Sequence, residues 1–67
     1  MITVTINGES KELDGPLQLV DYLNNNGLMK KRIAVAKNGT VIRRNDYGNI
    51  MIESGDRIEI VLPVGGG

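Results

Sequence analysis

The 67 residues include no His and no Cys. The usual general base near neutral pH, the thiolate nucleophile and the commonest metal ligands are therefore all missing. Ser10 and Ser54 have no base to activate them beyond carboxylates, and Asp14, Asp21, Asp46, Glu53 and Asp56 show no metal-loop spacing. Stand-alone catalysis has nothing to work with. The group left for chemistry is the carboxylate at the end of Gly65-Gly66-Gly67, which follows an aliphatic run ending Pro63-Val64. Three residues without Cβ make a thin stalk that lets another backbone come close. A partner enzyme could take up such a stalk and activate its end.

That stalk has to be held out by a folded body. A chain this short is one domain and buries only roughly 60% of the surface its unfolded form exposes. With no Cys to form disulfides and only Tyr22 and Tyr47 as aromatic residues, it must rely on Ile, Val and Leu packing. Ile2-Thr3-Val4-Thr5-Ile6 alternates as a half-buried strand does, and Asn7-Gly8 supplies a hairpin turn into a return strand over 10–13. Leu19, Val20 and Leu23 form one stripe of a helix over about 18–26, with Tyr22 beside it. Gly27 suits the left-handed position after that helix, and Leu28 can fold back on its end.

Residues 32–37 read as a strand with Ile33 and Val35 on one face and Ala34 and Ala36 on the other, the small alanines implying a crowded or covered opposite face. Asn38-Gly39 turns the chain into a short return over 40–43. Residues 44–49 read as a polar loop apart from Tyr47, and 50–52 as a turn of helix or extended chain. In the last strand, 57–62, Ile58, Ile60 and Leu62 should point inward and Glu59 and Val61 outward. The expectation is an α+β domain over 1–62, with one main helix on one face of a mixed sheet of four to five strands, and a glycine tail over 63–67. The first strand is too apolar for an edge, so the last can lie parallel beside it.

Eight basic and eight acidic residues balance. No basic surplus and no aromatic platform accompany Lys30-Lys31-Arg32 and Arg43-Arg44, which argues against nucleic-acid binding. No stretch approaches the ~20 apolar residues of a membrane span, and the N-terminus lacks signal-peptide character, so the expected compartment is the cytoplasm.

Taken together, Ile6-Asn7-Gly8 after an alternating strand, Ala34-Val35-Ala36 before Asn38-Gly39, Gly55-Asp56-Arg57 before the last strand, and terminal glycines resemble the ThiS family of sulfur carriers. The resemblance covers essentially the whole chain and implies a β-grasp, ubiquitin-like fold. It further implies a protein that is acted on rather than an enzyme. An E1-like adenylyltransferase (ThiF-like) would use ATP to adenylate the carboxylate, and the carrier itself would bind no cofactor. Sulfur from a cysteine desulfurase system would convert the carboxylate to a thiocarboxylate for thiazole synthase (ThiG-like). Carried over, Gly67 bears the reacting carbon, and Gly65 and Gly66 enter the partner. Val61, Pro63 and Val64 form an apolar grip beside the tail. The family ends in two glycines, so the third leaves open whether Gly67 reacts or is trimmed to expose Gly66. The alternatives are a MoaD-like small subunit of molybdopterin synthase, a ubiquitin-like protein modifier and a passive β-grasp interaction domain.

Overall fold

The structure, a computed structural model, describes residues 1–62. Seven strands, one α-helix and one 3₁₀ helix follow in the order β1 (Ile2–Ile6), β2 (Glu9–Leu13), β3 (Leu17–Gln18), α1 (Leu19–Asn25), β4 (Ala34–Lys37), β5 (Thr40–Ile42), the 3₁₀ helix (Arg44–Asn49), β6 (Met51–Ile52) and β7 (Arg57–Val61). Five strands form a mixed sheet in the order β2-β1-β7-β4-β5, and β3 pairs with β6 in a separate ribbon. β1 is interior and β7 lies parallel beside it, Thr5 opposite Arg57 and Ile6 opposite Ile58. This is the β-grasp arrangement that the resemblance implies.

Local chemistry accounts for the turns. Asn7 (φ 52°) and Gly8 (φ 82°) join β1 to β2, and Asn38 (φ 51°) and Gly39 (φ 87°) join β4 to β5. Two consecutive positive φ values give the turn whose twist matches paired strands, and Asn-Gly is the pair that adopts it at least cost. α1 has no side-chain cap at its start; the Leu19 amide donates instead to the Ile50 carbonyl at 2.8 Å. At its end Gly27 takes φ 68°, its amide reaching the Asn24 carbonyl (3.1 Å) while the Leu28 amide reaches that of Leu23 (2.8 Å). That pair of bonds is a Schellman stop, and it brings Leu28 back against the helix as expected.

One face of the sheet is covered. Ile2, Val4, Ile6, Val35 and Ile58 pack with Leu19 and Leu23 of α1, with Ile52, and with Tyr47. Residues 44–49, expected as a polar loop, instead form the 3₁₀ helix, which drives Tyr47 into the core at 2% exposure. Five of those six residues are polar or Gly, so no apolar period announces the helix; one large ring under α1 holds it there. Residues 51–52 are extended and give Ile52 to the core.

The opposite face of the sheet differs from expectation at the alanines. Ala34 is exposed and Ala36 half-buried, with no layer above them among the described residues. Strand register puts Ala34 beside Val61, and Ala36 between Glu59 and Val41. The small side chains leave a shallow apolar depression where a second layer was expected.

Candidate functional site

The residues expected to carry the chemistry follow β7 in sequence, so the end of the sheet around Val61 and Leu62 is the candidate site. Pro63, Val64, Gly65, Gly66 and Gly67 lie outside the described residues. Val61, expected to face outward, does so at 60% exposure. It is joined by Val41, 74% exposed, across the two alanines. Ala34, Ala36, Val41, Val61 and the edge of Glu59 line an open hollow of about 130 Å³.

Val41 was missed as part of this surface. The Thr40-Val41-Ile42 run shows that one of its two aliphatics faces out, but only the pairing of β4 with both β5 and β7 puts Val41 and Val61 on the same face. Isolated exposed valines need no explanation. Two of them flanking alanines at the end of β7 form an apolar patch of the kind that protein interfaces bury.

Leu62 corrects the expected pattern. It lies on the helix side, as alternation requires, but stays 47% exposed. Leu62 lies one residue past the end of β7, and α1, with only seven residues, leaves it partly uncovered. Leu62 therefore sits on the rim of a second groove, of about 430 Å³, bounded by Ile6, Asn7, Tyr22, Leu28 and Ile60. Burial raises the pKa of the Tyr22 phenol above its ordinary value, so the groove keeps a neutral hydroxyl.

Two features hold the C-terminal end of β7. β1 stops at Ile6, but the Asn7 side chain continues its ladder, Oδ1 accepting the Ile60 amide at 2.7 Å. On the other side β4 pairs with β7 as far as Ala34–Val61. The strand is thus held from both sides to within two residues of Leu62.

The far end of β7 is held more heavily. Asp56 accepts from the Glu53 amide (2.8 Å) and from Asn38 Nδ2 (3.1 Å), and Lys37 Nζ lies at 3.5 Å. Lys37 also donates to the Met51 carbonyl at 2.9 Å, and Asn38 Oδ1 accepts the Arg57 amide at 2.8 Å. Burial opposes the Asp56 charge, but the bonds from Glu53 and Asn38 together with the Lys37 ammonium outweigh it and lower its pKa. Among the described residues no group of acidic side chains could hold a metal ion, and no helix is long and apolar enough to cross a membrane.

Comparison with known proteins adds the following. The ThiS family model matches residues 4–67. Thiazole synthases of Paramagnetospirillum magneticum and Magnetococcus marinus are 28% and 31% identical over 64 residues, 96% of this chain in each case. The chain spans about 20% of the length of each of them. An uncharacterised protein of Porphyra purpurea, ycf40, is 35% identical over 66 residues, covering 98% of this chain and 93% of that one. The crystal structure of the thiamine biosynthesis protein ThiS from Geobacter metallireducens superposes with a TM-score of 0.85 at 26% identity, covering 98% of this chain and all of that one. A solution structure of a thiamine biosynthesis protein from the same organism gives 0.79 at the same identity, with 98% and 88% covered.

Proposed function

The chain belongs to the ThiS family, and from that premise we propose that it carries sulfur for thiamin thiazole synthesis in the cytoplasm as a thiocarboxylate on Gly67. The carboxylate of Gly67 attacks ATP on a ThiF-like enzyme, giving an acyl adenylate and pyrophosphate. The outer sulfur of a persulfide, formed from cysteine on a desulfurase system, displaces AMP to give an acyl disulfide. A thiol reductant cleaves its S–S bond, leaving the thiocarboxylate and forming a disulfide with the thiol that carried the persulfide. The thiocarboxylate then gives its sulfur to a ThiG-like thiazole synthase. The chain is substrate and donor in these steps; catalysis and ATP binding belong to the partners.

The observation that carries this reading is the extent of the family match, which runs through residue 67 and takes in the glycines. The two thiazole synthases similar to nearly the whole chain support this pathway over molybdopterin synthesis. The open face supplies the grip. Val61 and Val41 offer apolar surface at the end of β7, and the next apolar residues in the sequence are Pro63 and Val64. A partner that binds this body offsets the entropy lost when a glycine stalk is ordered in a tunnel.

The test is intact-mass spectrometry after incubation with a ThiF-like enzyme, ATP and a sulfur source. The expected product is the full-length chain with one oxygen exchanged for sulfur. A product shortened by one glycine and bearing the sulfur on Gly66 would move the reacting atom; an unchanged mass would sink the carrier reading.

A further inference from the structure

The net charge of zero conceals a strong separation of charge. Between Asp21 and Asp46 the sequence has no acidic residue, yet it holds Lys30, Lys31, Arg32, Lys37, Arg43 and Arg44. The fold sorts these cations by position. Lys37 lies at the far end of β4, paired with Asp56. The other five gather at the opposite end, where the tail leaves.

Strand register fixes that placement. Val61 pairs with Ala34, so the residues just before Ala34, including Lys30, Lys31 and Arg32, lie past the end of β7. Ile42 pairs with Val35, and Val35 with Ile60, so Arg43 and Arg44 leave the sheet at the same level. Arg44 ties the two segments together, its guanidinium donating to the carbonyls of Met29 (2.5 Å) and Lys31 (3.5 Å). All five side chains belong to exposed residues, and none lies in an ion pair among the described residues. Five like charges drawn together repel one another, and of them only Arg44 makes a side-chain hydrogen bond among the described residues. An opposing charge from outside the chain relieves that repulsion.

Resting on the carrier reading above, we infer that these five cations form a docking rim around the tail exit that fits an acidic protein surface at the mouth of the adenylating enzyme. The occupant is a protein because the rim borders the apolar patch of Val61, Val41 and the alanines, which gives the mixed apolar and charged character of a protein interface. A nucleic acid would want stacking rings, and both tyrosines lie elsewhere: Tyr47 is buried, and Tyr22 lines the groove under Leu62. The rim acts at encounter. Opposed potentials speed association and orient the body so that the tail meets the tunnel first.

The experiment is ATP–pyrophosphate exchange catalysed by the ThiF-like enzyme of the same genome, with the carrier concentration varied at low and high salt. Lys30→Glu/Lys31→Glu/Arg32→Glu removes three cations and leaves the bracing Arg44 in place; Lys30→Gln/Lys31→Gln/Arg32→Gln tests charge removal with less disturbance. The expected result at low salt is a KM for carrier raised at least about tenfold by the reversal and less by the Gln variant. The rate at saturation and the Tm should stay as in the wild type, and the KM difference should shrink as salt screens the rim. Equal KM values at low salt for wild type and reversal, with exchange intact, overturn the rim and leave the carrier reading standing. Wild-type protein that supports no exchange overturns both. Retention of a poly-U oligonucleotide at physiological salt by the wild type, lost in the reversal, assigns the rim to nucleic acid and overturns its assignment to protein.

Discussion

The two ends of β7 are built on opposite principles. At the Asp56 end a cluster of polar groups is partnered inside the chain: an acid, an amide side chain, an ammonium and three backbone groups bond one another within a few ångströms. At the Val61 end the aliphatic side chains have no cover and the cations no counterions among the described residues. One end spends its functional groups on holding the fold. The other leaves them unspent, the arrangement expected of a surface completed by a partner. Changes at the open end should therefore alter recognition without altering stability, and changes elsewhere in the body should do the reverse.

The largest effect should come from deleting Gly66 and Gly67. Exchange with the adenylating enzyme should vanish while the thermal transition and circular dichroism stay unchanged; a passive interaction domain would keep its function instead. Next is Tyr47→Ala. Removing a ring that is 2% exposed costs about 3–5 kcal/mol by analogy with other buried aromatics, comparable to the whole stability of a small domain. Urea titration should find the variant largely unfolded in buffer. A native-like midpoint would mean that the 3₁₀ helix is dispensable and would erase the contrast.

Val61→Asp makes the reciprocal test. At 60% exposure the change should leave the Tm within a degree or two, because exposed substitutions shift stability by less than about 0.5 kcal/mol. Carrier binding to its enzyme should weaken by about 2 kcal/mol, roughly 30-fold, because a carboxylate would have to be dried against an apolar partner. Calorimetric titration reads that loss; unaltered affinity would remove Val61 from the grip.

The smallest effect sharpens the latched end. Asp56→Asn should cost about 1–2 kcal/mol by weakening charge-assisted bonds to Glu53, Asn38 and Lys37. The sign of the pH dependence follows from the lowered pKa. A carboxylate held more acidic in the folded state stabilises it fully above its unfolded value of about 3.9, and that stability is lost as pH falls through the folded pKa. Wild-type Tm should thus fall below about pH 4, and the part of that fall due to Asp56 should be absent from the Asn variant.

Much of the body was legible from residue patterns because those patterns are local. The alternation from Ile2 to Ile6, the two Asn-Gly turns and Gly27 after the helix each determine their own geometry, and the structure agrees with them to within a residue or two. What escaped depends on partners distant in sequence. Tyr47 is buried by a helix some 25 residues earlier in the chain, with nothing around it to mark the position. Ala34 and Ala36 implied a covered face because small residues often mark close packing; they are small here beside open surface. Leu62 followed the alternation yet stayed exposed, since its burial depended on the length of α1. Val61 was readable as an outward residue, whereas its neighbours Val41 and Ala34 became so only through register.

The parallel pairing of β1 with β7 bears on how the molecule is made. Thr5 meets Arg57, a closure across about 50 residues, and β7 is the central strand of the five. Such distant pairing pays its loop entropy before it gains contacts, so it forms late in folding. Until it forms, Val61 has neither Ala34 beside it nor Val41 nearby, and the cations of the two loops have no common strand end to surround. An unfolded chain presents glycines with no address. On the carrier reading proposed above, completion of the sheet would be a built-in inspection step, offering only finished molecules to an activating partner.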